Sequence, residues 1–476
     1  MAGVISPGLI RTVNPATEKE LAGYEPFDAD RIEQAVNAAH DAHLTWRDTT
    51  FAHRADLLRA AADVLTRRRA EFAQLITDEM GKAIGQAEAE IDKCALNCRF
   101  YADNAERFLA DTAVETEAVA SYVAYQPLGV VLAIMPWNFP FWQVIRFAAP
   151  ALMAGNAALL KHSPNVTGCA LAIEEVFREA GYPDGLFRTL VIAEPDVPAA
   201  TGALIEHPQV AAVTLTGSER AGVAVGTAAG RALKRSVLEL GGSDPFVVLA
   251  DADVAGAARV AARARFLNTG QSCIAAKRFV VEEPVADEFE RLFVEAVRDL
   301  RVGDPADPST DVGPMARADL MDALERQVSA SVEAGARVLQ GGERIAGTGY
   351  FFAPTVLADV TADMPVFAEE TFGPVAALIR ARDEDDAVRL ANETPFGLGA
   401  SVWTSDVERG QRVGRQIRSG ALFVNSMVAS DPRLPFGGTK RSGYGRELAA
   451  EGIREFTNVR TFWVQAGPPA DTPLSE

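Results

Sequence analysis

The residue best suited to chemistry is a cysteine in a polar segment that contains glycine. Residues 268–273 are Asn-Thr-Gly-Gln-Ser-Cys, they follow a helix-like stretch, and no bulky anchor shields the thiol of Cys273. A thiolate adds readily to a carbonyl carbon, so this segment predicts nucleophilic catalysis. The alternative is an inert buried cysteine, which is the usual state of a lone cysteine.

A carboxylate and an amide in two other segments could assist such a nucleophile. Glu239 lies between two leucines and before two glycines. Apolar surroundings raise a carboxyl pKa and suit the group to take a proton from water. Asn138 lies between Pro136 and Pro140, so its amide is held and could donate to a developing oxyanion. The alternatives are a solvent-facing glutamate and an ordinary asparagine in a turn.

Three further segments carry groups that could bind a ligand. Lys161 ends a predicted strand at a strand-to-helix junction, where α/β folds bind ligands. Gly217 and Ser218 open a predicted helix, whose free N–H groups favour a phosphate. Glu370 and Phe372 place an acid and an aromatic ring beside a rigid Gly-Pro turn. The alternatives are a solvated lysine, a plain N-cap by Ser218 and a charged loop over a hydrophobic plug.

The segments that must position these residues alternate between helix and strand. The pattern is helical over 30–110, and short apolar strands then alternate with helices over 140–250 and again over 251–430. Such alternation predicts parallel sheets with crossover helices, and two such series predict two α/β domains. The uncharged segment 118–145 contains three prolines, which oppose a membrane-spanning helix and favour a strand that continues into a buried loop.

Composition narrows the possible functions. The net charge is −19, from 65 acidic and 46 basic residues, which opposes sequence-independent binding to nucleic acid or anionic membranes. Four cysteines suit a reducing cytoplasm, and the first thirty residues lack the pattern of a signal peptide, so we expect a cytoplasmic protein. No histidine pairs with another histidine or cysteine at the spacing of metal ligands, so we expect no metal site.

Together these segments resemble the NAD(P)-dependent aldehyde dehydrogenase superfamily, with six motifs in order between Asn14-Pro-Ala-Thr17 and the glycine-rich run 437–447. The resemblance implies an α/β fold with a Rossmann-like cofactor domain that lacks the usual G-x-G-x-x-G fingerprint. In agreement with this, no such motif follows a predicted strand in this sequence. It also implies an α/β catalytic domain and a β-hairpin arm for oligomerisation. The implied boundaries are 1–111 and 128–241 for the cofactor-binding domain, 242–454 for the catalytic domain, and 112–127 with 455–476 for the arm and tail.

The resemblance also implies a role for each candidate residue. Cys273 is the implied nucleophile, Asn138 and the Cys273 N–H form the oxyanion hole, and Glu239 activates the water that releases the acid. The implied cofactor contacts are Pro136, Trp137, Lys161, Ser163, Pro164, Gly217, Ser218, Leu240, Glu370 and Phe372.

One departure from the family pattern concerns the cofactor. Many NAD-preferring relatives carry a glutamate three residues after the ribose-contacting lysine, and here that position is Pro164. Without this carboxylate nothing at the position opposes a 2′-phosphate, and Ser163 could donate a hydrogen bond to it. We therefore expect NADP to be preferred over NAD, with both accepted.

A second departure concerns the substrate. Arg146 stands eight residues after Asn138, the spacing at which succinate-semialdehyde dehydrogenases carry an arginine for the substrate carboxylate. Ser430 falls where that group carries a carboxylate-binding serine, which implies succinate semialdehyde as substrate. However, Leu267 stands where some members carry a second arginine, and Arg146 in a structural ion pair is the alternative.

Other functions remain as alternatives at this point. The protein could oxidise another aliphatic or aromatic aldehyde, transfer the acyl group to coenzyme A, act as a cofactor-independent hydrolase, or be a catalytically silent relative. Glu239 argues against acyl transfer, because that reaction needs no water-activating base, and the three intact catalytic residues argue against a silent relative. The expected assembly is a homodimer or a homotetramer.

Overall fold

Two largely parallel sheets organise residues 8–467, the part of the chain that the computed structural model describes. The strands in that range are β1 (Ile10–Val13), β2 (Glu20–Tyr24), β3 (Thr112–Ala113), β4 (Ala120–Pro127), β5 (Val130–Met135), β6 (Ala157–His162), β7 (Phe187–Thr189), β8 (Val210–Thr216), β9 (Arg235–Glu239), β10 (Asp244–Val248), β11 (Ala276–Glu282), β12 (Arg337–Gln340), β13 (Thr355–Ala358), β14 (Val375–Ala381), β15 (Gly399–Trp403), β16 (Ala421–Val424), β17 (Gly443–Tyr444) and β18 (Thr457–Val464).

The helices cover both faces of these sheets. They are α1 (Ala29–Trp46), α2 (Phe51–Arg67), α3 (Arg69–Met80), α4 (Ile84–Phe108), α5 (Trp142–Met153), α6 (Thr167–Glu179), α7 (Val197–Glu206), α8 (Glu219–Arg231), α9 (Val254–Phe266), α10 (Glu283–Arg298), α11 (Ala318–Glu333), α12 (Pro365–Ala368), α13 (Glu384–Asn392), α14 (Val407–Gly414) and α15 (Ala449–Arg454). Short 3-10 turns lie at Pro164–Val166, Glu194–Asp196, Leu267–Gly270 and Lys440–Ser442.

The smaller sheet has the strand order β17-β9-β8-β5-β6-β7. All neighbours run parallel except β17, which pairs antiparallel with β9. All six residues of β5 are buried and apolar, as is typical of a parallel strand covered on both faces. The chain runs from β5 outward through β6 to β7 and then returns to β8 on the other side of β5. This reversal creates a switch point, the place where α/β sheets bind ligands.

The larger sheet has the order β12-β13-β14-β11-β10-β15-β16, and only the β12–β13 pair is antiparallel within residues 8–467. Alternate residues of its interior strand β10 point to opposite faces. Phe246 and Val248 pack in one apolar cluster, and Val247 packs in the other. Both faces of the sheet are therefore buried, and the α/β fold class expected from the sequence is confirmed. The domain boundaries expected from the sequence remain a prediction. Residues 1–7 of the expected cofactor-binding domain and 468–476 of the expected tail lie outside the described part of the chain.

The helical segment before the first sheet contains a break that matters for the site. Helix α3 ends at Gly81, which has a left-handed φ of 78°. A Cβ atom at this position would lie 2.6 Å from Cγ of Pro314, so glycine is required by both conformation and space. Helix α4 then starts at Ile84 in a new direction and presents Glu90 and Lys93 toward the active-site region.

The uncharged segment 118–145 differs from its prediction in one part. Strands β4 and β5 are present and β5 continues into a largely buried loop over 136–141, as expected, but helix α5 begins at Trp142, so the last four residues of the segment are helical. The backbone N–H groups of Phe141 and Trp142 donate to Oε1 of Glu90, each at 2.9 Å. A carboxylate at a helix N-terminus stabilises the helix, and this one comes from α4, about 50 residues away in the sequence.

A third, antiparallel sheet forms an arm with the strand order β18-β4-β3. Its side chains include Val459 and Trp463, which are 55% and 52% exposed. No helix among residues 8–467 combines the length and apolar character needed to cross a membrane. The same residues contain no group of three or more histidine, cysteine or acidic side chains placed to hold a metal ion.

Candidate active site

The carboxyl ends of four neighbouring strands bring most of the predicted residues to one edge of the smaller sheet. Ile134 of β5 pairs with Lys161 of β6 on one side and with Leu215 of β8 on the other. Thr216 of β8 pairs in turn with Glu239, the last residue of β9. Parallel strands end together, so the segments that follow β5, β6, β8 and β9 meet at this edge.

The cysteine lies on a loop between α9 and β11 that has an unusual backbone. Asn268, Thr269 and Gly270 all adopt left-handed φ values, of 55°, 56° and 71°. For Asn268 and the β-branched Thr269 this costs on the order of 1–3 kcal/mol each, so the surroundings must hold the loop. The Nδ2 atom of Asn268 does so by donating to the carbonyl oxygens of Asn138 at 2.8 Å and Gln271 at 3.0 Å. The nucleophile loop is thereby fixed to the segment that carries Asn138.

The amide of Asn138 is oriented by the same loop. Its Nδ2 atom donates one hydrogen bond to the carbonyl oxygen of Gln271 at 3.2 Å, and the side chain is only 4% exposed. An amide nitrogen carries two hydrogens, and this is its one bond within the described residues. One donor of a held amide therefore remains for an oxygen that develops charge near Cys273.

A lysine that the sequence did not single out holds the backbone of Cys273. Lys277 is fully buried, and its Nζ donates to the carbonyl oxygens of Ser272 at 2.9 Å and Cys273 at 2.8 Å. The ammonium also lies 3.5 Å from Oε1 of Glu370. Lys277 stands four residues after Cys273 in a strand, and its sequence context is that of an ordinary strand lysine. Its role in positioning Cys273 is therefore visible only in the fold.

Two pockets meet at the cysteine, and Cys273 lines both. The first, here called the outer pocket, has a volume of about 340 Å³, and its walls include Lys82, Glu90, Lys93, Phe139, Trp142, Gln143, Arg146, Arg263, Leu267, Ser430 and Phe436. The second, the sheet-edge cleft, has a volume of about 220 Å³, and its walls include Pro136, Trp137, Asn138, Thr216, Gly217, Ser218, Leu240, Gly241, Glu370 and Phe372. The thiol is thus reachable from two sides.

The sheet-edge cleft is closed on one side by aromatic rings and on another by a fixed carboxylate. The rings of Trp137 and Phe372 meet edge to face, with centroids 5.7 Å apart. Oε1 of Glu370 accepts a hydrogen bond from the backbone N–H of Gly242 at 3.0 Å. A Cβ atom at Gly241 would lie 2.2 Å from Oε2 of Glu370, so only glycine admits the carboxylate here.

At the end of β6 the structure places groups that fit a nucleotide. Lys161 is 7% exposed and forms no salt bridge within the described residues, and burial lowers its pKa to about 8, with the charge of Glu194 opposing this. Ser163 Oγ donates to Oδ1 of Asn165 at 2.7 Å, and the buried Nδ2 of Asn165 has no hydrogen-bond partner in residues 8–467. Lys161 is thus a cation without a paired acid, and the Asn165 amide is a donor without an acceptor. Both could bind the hydroxyl groups of a ribose or the oxygens of a phosphate. Lys161, Ser163 and the following Pro164 lie beside the sheet-edge cleft rather than in its wall.

Glu239 is buried without compensation. Neither carboxyl oxygen has a hydrogen-bond partner among the described residues, and the side chain is 2% exposed. Burial raises the pKa of Glu239 well above its ordinary value, the neighbouring charge of Glu447 raises it further, and Arg146 lowers it. Burial also raises the pKa of Cys273 to about 12, with Arg146 and Lys277 opposing the shift. The thiol of Cys273 is therefore protonated at neutral pH in this state and must lose its proton before it could act as a nucleophile, and the raised pKa of Glu239 favours its neutral form.

Arg146 lies in the wall of the outer pocket and is also ion-paired. Its Nε contacts Oε2 of Glu447, its Nη2 donates to Oγ1 of Thr216 at 3.3 Å, and its guanidinium lies 4.7 Å from the ring centroid of Phe436. The ion pair that the sequence left open as an alternative therefore exists. Ser430 lies in the same pocket, where its Oγ accepts a hydrogen bond from Nζ of Lys93 at 2.6 Å.

The fold and the site together define a cysteine-dependent α/β oxidoreductase. Residues 5–462 match the aldehyde dehydrogenase family, and the chain belongs to that family.

Its curated relatives and solved neighbours cover nearly the whole chain. A probable succinate-semialdehyde dehydrogenase (NADP+) of Synechocystis is 50% identical over 455 residues, which are 96% of this chain and 99% of the relative. Succinate-semialdehyde dehydrogenase (NADP+) 1 of Mycobacterium tuberculosis is 49% identical over 458 residues, again 96% and 99% of the two chains. The crystal structure of succinic semialdehyde dehydrogenase from Streptococcus pyogenes in complex with NADP+ aligns with a TM-score of 0.92 at 36% identity and covers 96% of this chain and 99% of that one.

Proposed function

We propose that this enzyme oxidises succinate semialdehyde to succinate with NADP+, and with NAD+ as the less favoured cofactor. The observation that carries the proposal is the position of Cys273 between the cation-bearing outer pocket and the sheet-edge cleft. The names of the relatives at 50% and 49% identity support both the substrate and the cofactor. Pro164, which brings no carboxylate to the end of β6, supports the preference for a 2′-phosphate.

In the first step the Cys273 thiolate attacks the aldehyde carbon and forms a thiohemiacetal. The free N–H of the Asn138 amide and the backbone N–H of Cys273 stabilise the negative charge on the former carbonyl oxygen. Lys277 keeps the cysteine backbone in place during this step because it holds two consecutive carbonyl oxygens. Bound NADP+ supplies the acceptor for the hydride that leaves the thiohemiacetal carbon.

In the second step the resulting thioester on Cys273 is hydrolysed. Glu239 takes a proton from a water molecule, and the water oxygen adds to the thioester carbon. The carbon–sulfur bond then breaks with its electron pair on sulfur, and the acid is released and loses its proton to solvent to give succinate. Glu239 returns the proton it took from water to the sulfur, which restores the thiol and the ionised carboxylate of Glu239. The raised pKa of Glu239 makes it a strong enough base for this proton transfer once it is ionised.

The residues expected from the family resemblance are the proposed ligand contacts. Trp137, Gly217, Ser218, Leu240, Glu370 and Phe372 would hold the cofactor along the sheet-edge cleft, with Pro136, Lys161, Ser163 and Pro164 at its outer end. Arg146 keeps guanidinium N–H groups beyond those used for Glu447 and Thr216, and these would reach a carboxylate in the outer pocket together with Ser430.

We further propose that the enzyme is a cytoplasmic homodimer or homotetramer that assembles through the arm. The apolar side chains Val119, Val459 and Trp463 on the arm are 69%, 55% and 52% exposed, which supports a buried role in an assembly. Light scattering after size-exclusion chromatography would test this. A mass equal to the 50.8 kDa of one chain would contradict it.

A second candidate substrate is an uncharged aliphatic or aromatic aldehyde. It is favoured by the apolar side chains Phe139, Trp142 and Phe436 in the outer pocket. The test is the absorbance of the reduced cofactor at 340 nm with succinate semialdehyde, butanal and benzaldehyde, each with NADP+ and NAD+. We expect the highest kcat/KM with succinate semialdehyde and NADP+. A clearly higher value with NAD+, or with either uncharged aldehyde, would contradict the proposal.

A further inference from the structure

A substrate carboxylate is attracted most strongly by a cation whose charge is not already balanced by an acid of the protein. Four cationic side chains line the outer pocket: Lys82, Lys93, Arg146 and Arg263. Lys82 is paired with Glu90, and Arg146 is paired with Glu447. Within the described residues, Lys93 and Arg263 form no salt bridge, and Arg263 is exposed to solvent whereas Lys93 is partly buried.

Lys93 is held in a defined position with donors to spare. Its Nζ donates to Oγ of Ser430 at 2.6 Å and lies 4.3 Å from the ring centroid of Trp142. An ammonium has three N–H donors, and this hydrogen bond uses one of them. The nearby acid Asp431 is engaged by Arg433 at 2.6 Å and 2.8 Å.

Burial of this ammonium is therefore only partly compensated. Desolvation lowers the pKa of Lys93 to about 8, the charge of Arg146 lowers it further, and Cys94, Glu90 and Asp431 oppose the shift. A carboxylate that enters the pocket would supply the missing acceptor and the missing charge. Leu267, which stands where some related enzymes carry an arginine, lines the same pocket, so here the additional partly buried cation is Lys93 on α4 rather than a residue at position 267.

We propose that Lys93 and Ser430 form the binding site for the distal carboxylate of a short ω-aldehyde acid, so that Lys93 determines the specificity of the enzyme. This inference rests on the proposed function, because it names the group that recognises the proposed substrate. The carboxylate accepts hydrogen bonds from the free Nζ–H donors of Lys93 while its aldehyde end faces Cys273 in the same pocket.

The test compares the selectivity ratio, defined as kcat/KM for succinate semialdehyde divided by kcat/KM for butanal, in the full-length enzyme. Lys93→Met keeps the length of the side chain and removes the charge, and we expect it to lower the ratio about 10- to 100-fold, mainly through KM for succinate semialdehyde. Lys93→Arg should restore most of the ratio. Arg263→Met, which removes an exposed cation from the same pocket, is the matched control and should change the ratio less than about threefold.

A purely structural role for Lys93 would affect both aldehydes alike and leave the ratio unchanged, which would overturn the inference. A larger loss in Arg263→Met than in Lys93→Met would also overturn it. A second readout is the pH profile: the ratio of the wild-type enzyme should fall above about pH 8 as Lys93 loses its proton, and that of Lys93→Arg should not.

The butanal reference cancels the titration of Cys273 and Glu239, which act on both substrates. An absent pH dependence of the wild-type ratio would contradict the role of the ammonium. If the wild-type enzyme itself did not favour succinate semialdehyde, the proposed function would fail. If it did, and Lys93→Met kept that preference, only the present inference would fail.

Discussion

The sheet-edge cleft and the outer pocket share one sulfur atom but are built in different ways. Much of the cleft is formed by the segments that follow β5, β8 and β9, which the topology of a parallel sheet places, and Glu370 and Phe372 complete it from the loop before β14. The outer pocket is formed by side chains from α4, α5, α9 and the loop after β16, which only tertiary packing brings together. The chemistry shared by a family can therefore reside in the cleft, while the choice of aldehyde depends on a few side chains in the pocket.

The two regions also differ in how far their charged side chains balance one another. In the cleft, Glu370 is balanced by Lys277 and the N–H of Gly242. The outer pocket contains four cationic side chains and Glu90 as the acid in its wall among the described residues. A pocket with surplus positive charge favours an acidic substrate even though the whole chain has a net charge of −19.

Removing the sulfur that joins the two regions should have the largest effect. We expect Cys273→Ala to lower kcat by at least about 10⁴-fold with every aldehyde, because no other side chain in the two walls is placed as a nucleophile. Binding of NADP+, measured by fluorescence titration, should change less than about threefold. Residual turnover within tenfold of wild type would contradict covalent catalysis at this position.

Glu239→Gln should separate the two halves of the reaction. Steady-state kcat is expected to fall about 10²- to 10⁴-fold because the water that hydrolyses the thioester loses its base. The first turnover should persist, so stopped-flow absorbance at 340 nm should record a burst of about one reduced cofactor per active site. If the burst also disappeared, Glu239 would instead be needed to deprotonate Cys273.

Arg146→Met should affect both specificity and stability, in contrast to Lys93→Met. The selectivity ratio is expected to fall about tenfold, and the free energy of unfolding in urea should fall by about 3–5 kcal/mol because Glu447 is left buried without its cation. Lys93→Met has no such ion pair to break and should stay within about 1 kcal/mol of wild type. Equal losses of kcat/KM with succinate semialdehyde and butanal would show that Arg146 does not bind the substrate carboxylate.

The outer end of the cleft should respond to pH through Lys161. Because its pKa is lowered to about 8, the ammonium is present below that pH and is lost above it, so the dissociation constant of NADP+ should rise between about pH 7 and 9. We expect Lys161→Met to raise this constant about tenfold at pH 7 and to flatten the profile. An unchanged profile in the variant would assign the pH dependence to another group.

The cleft could largely be predicted from the sequence, whereas the pocket could not. Asn138, Gly217 and Leu240 each stand in a local motif just after a strand, and Glu370 stands in a motif beside a Gly-Pro turn. Lys93 stands on a long helix 180 positions before Cys273, and nothing local distinguishes it from a surface lysine. Glu447, which balances Arg146, follows a glycine-rich run and carries no signal for its buried position.

Helix α5 shows why sequence patterns miss some elements. All twelve of its residues are buried, so it lacks the amphipathic period that reveals a half-buried helix. It also owes its start to Glu90 on a distant helix, a contact that no local pattern encodes. A fully buried helix cannot be told from a fully buried strand by periodicity alone.

The outer edge of the arm has a consequence for how the chain associates with other chains. Among the described residues, β18 is the outer strand of its sheet, so along Thr457–Val464 one row of backbone donors and acceptors is left open beside Trp463. An open strand edge of this kind can pair with a strand of another chain, either in a specific assembly or in an aggregate. Assembly through the arm, as proposed above, would cover this open edge, and the melting temperature of the protein should then rise with its concentration.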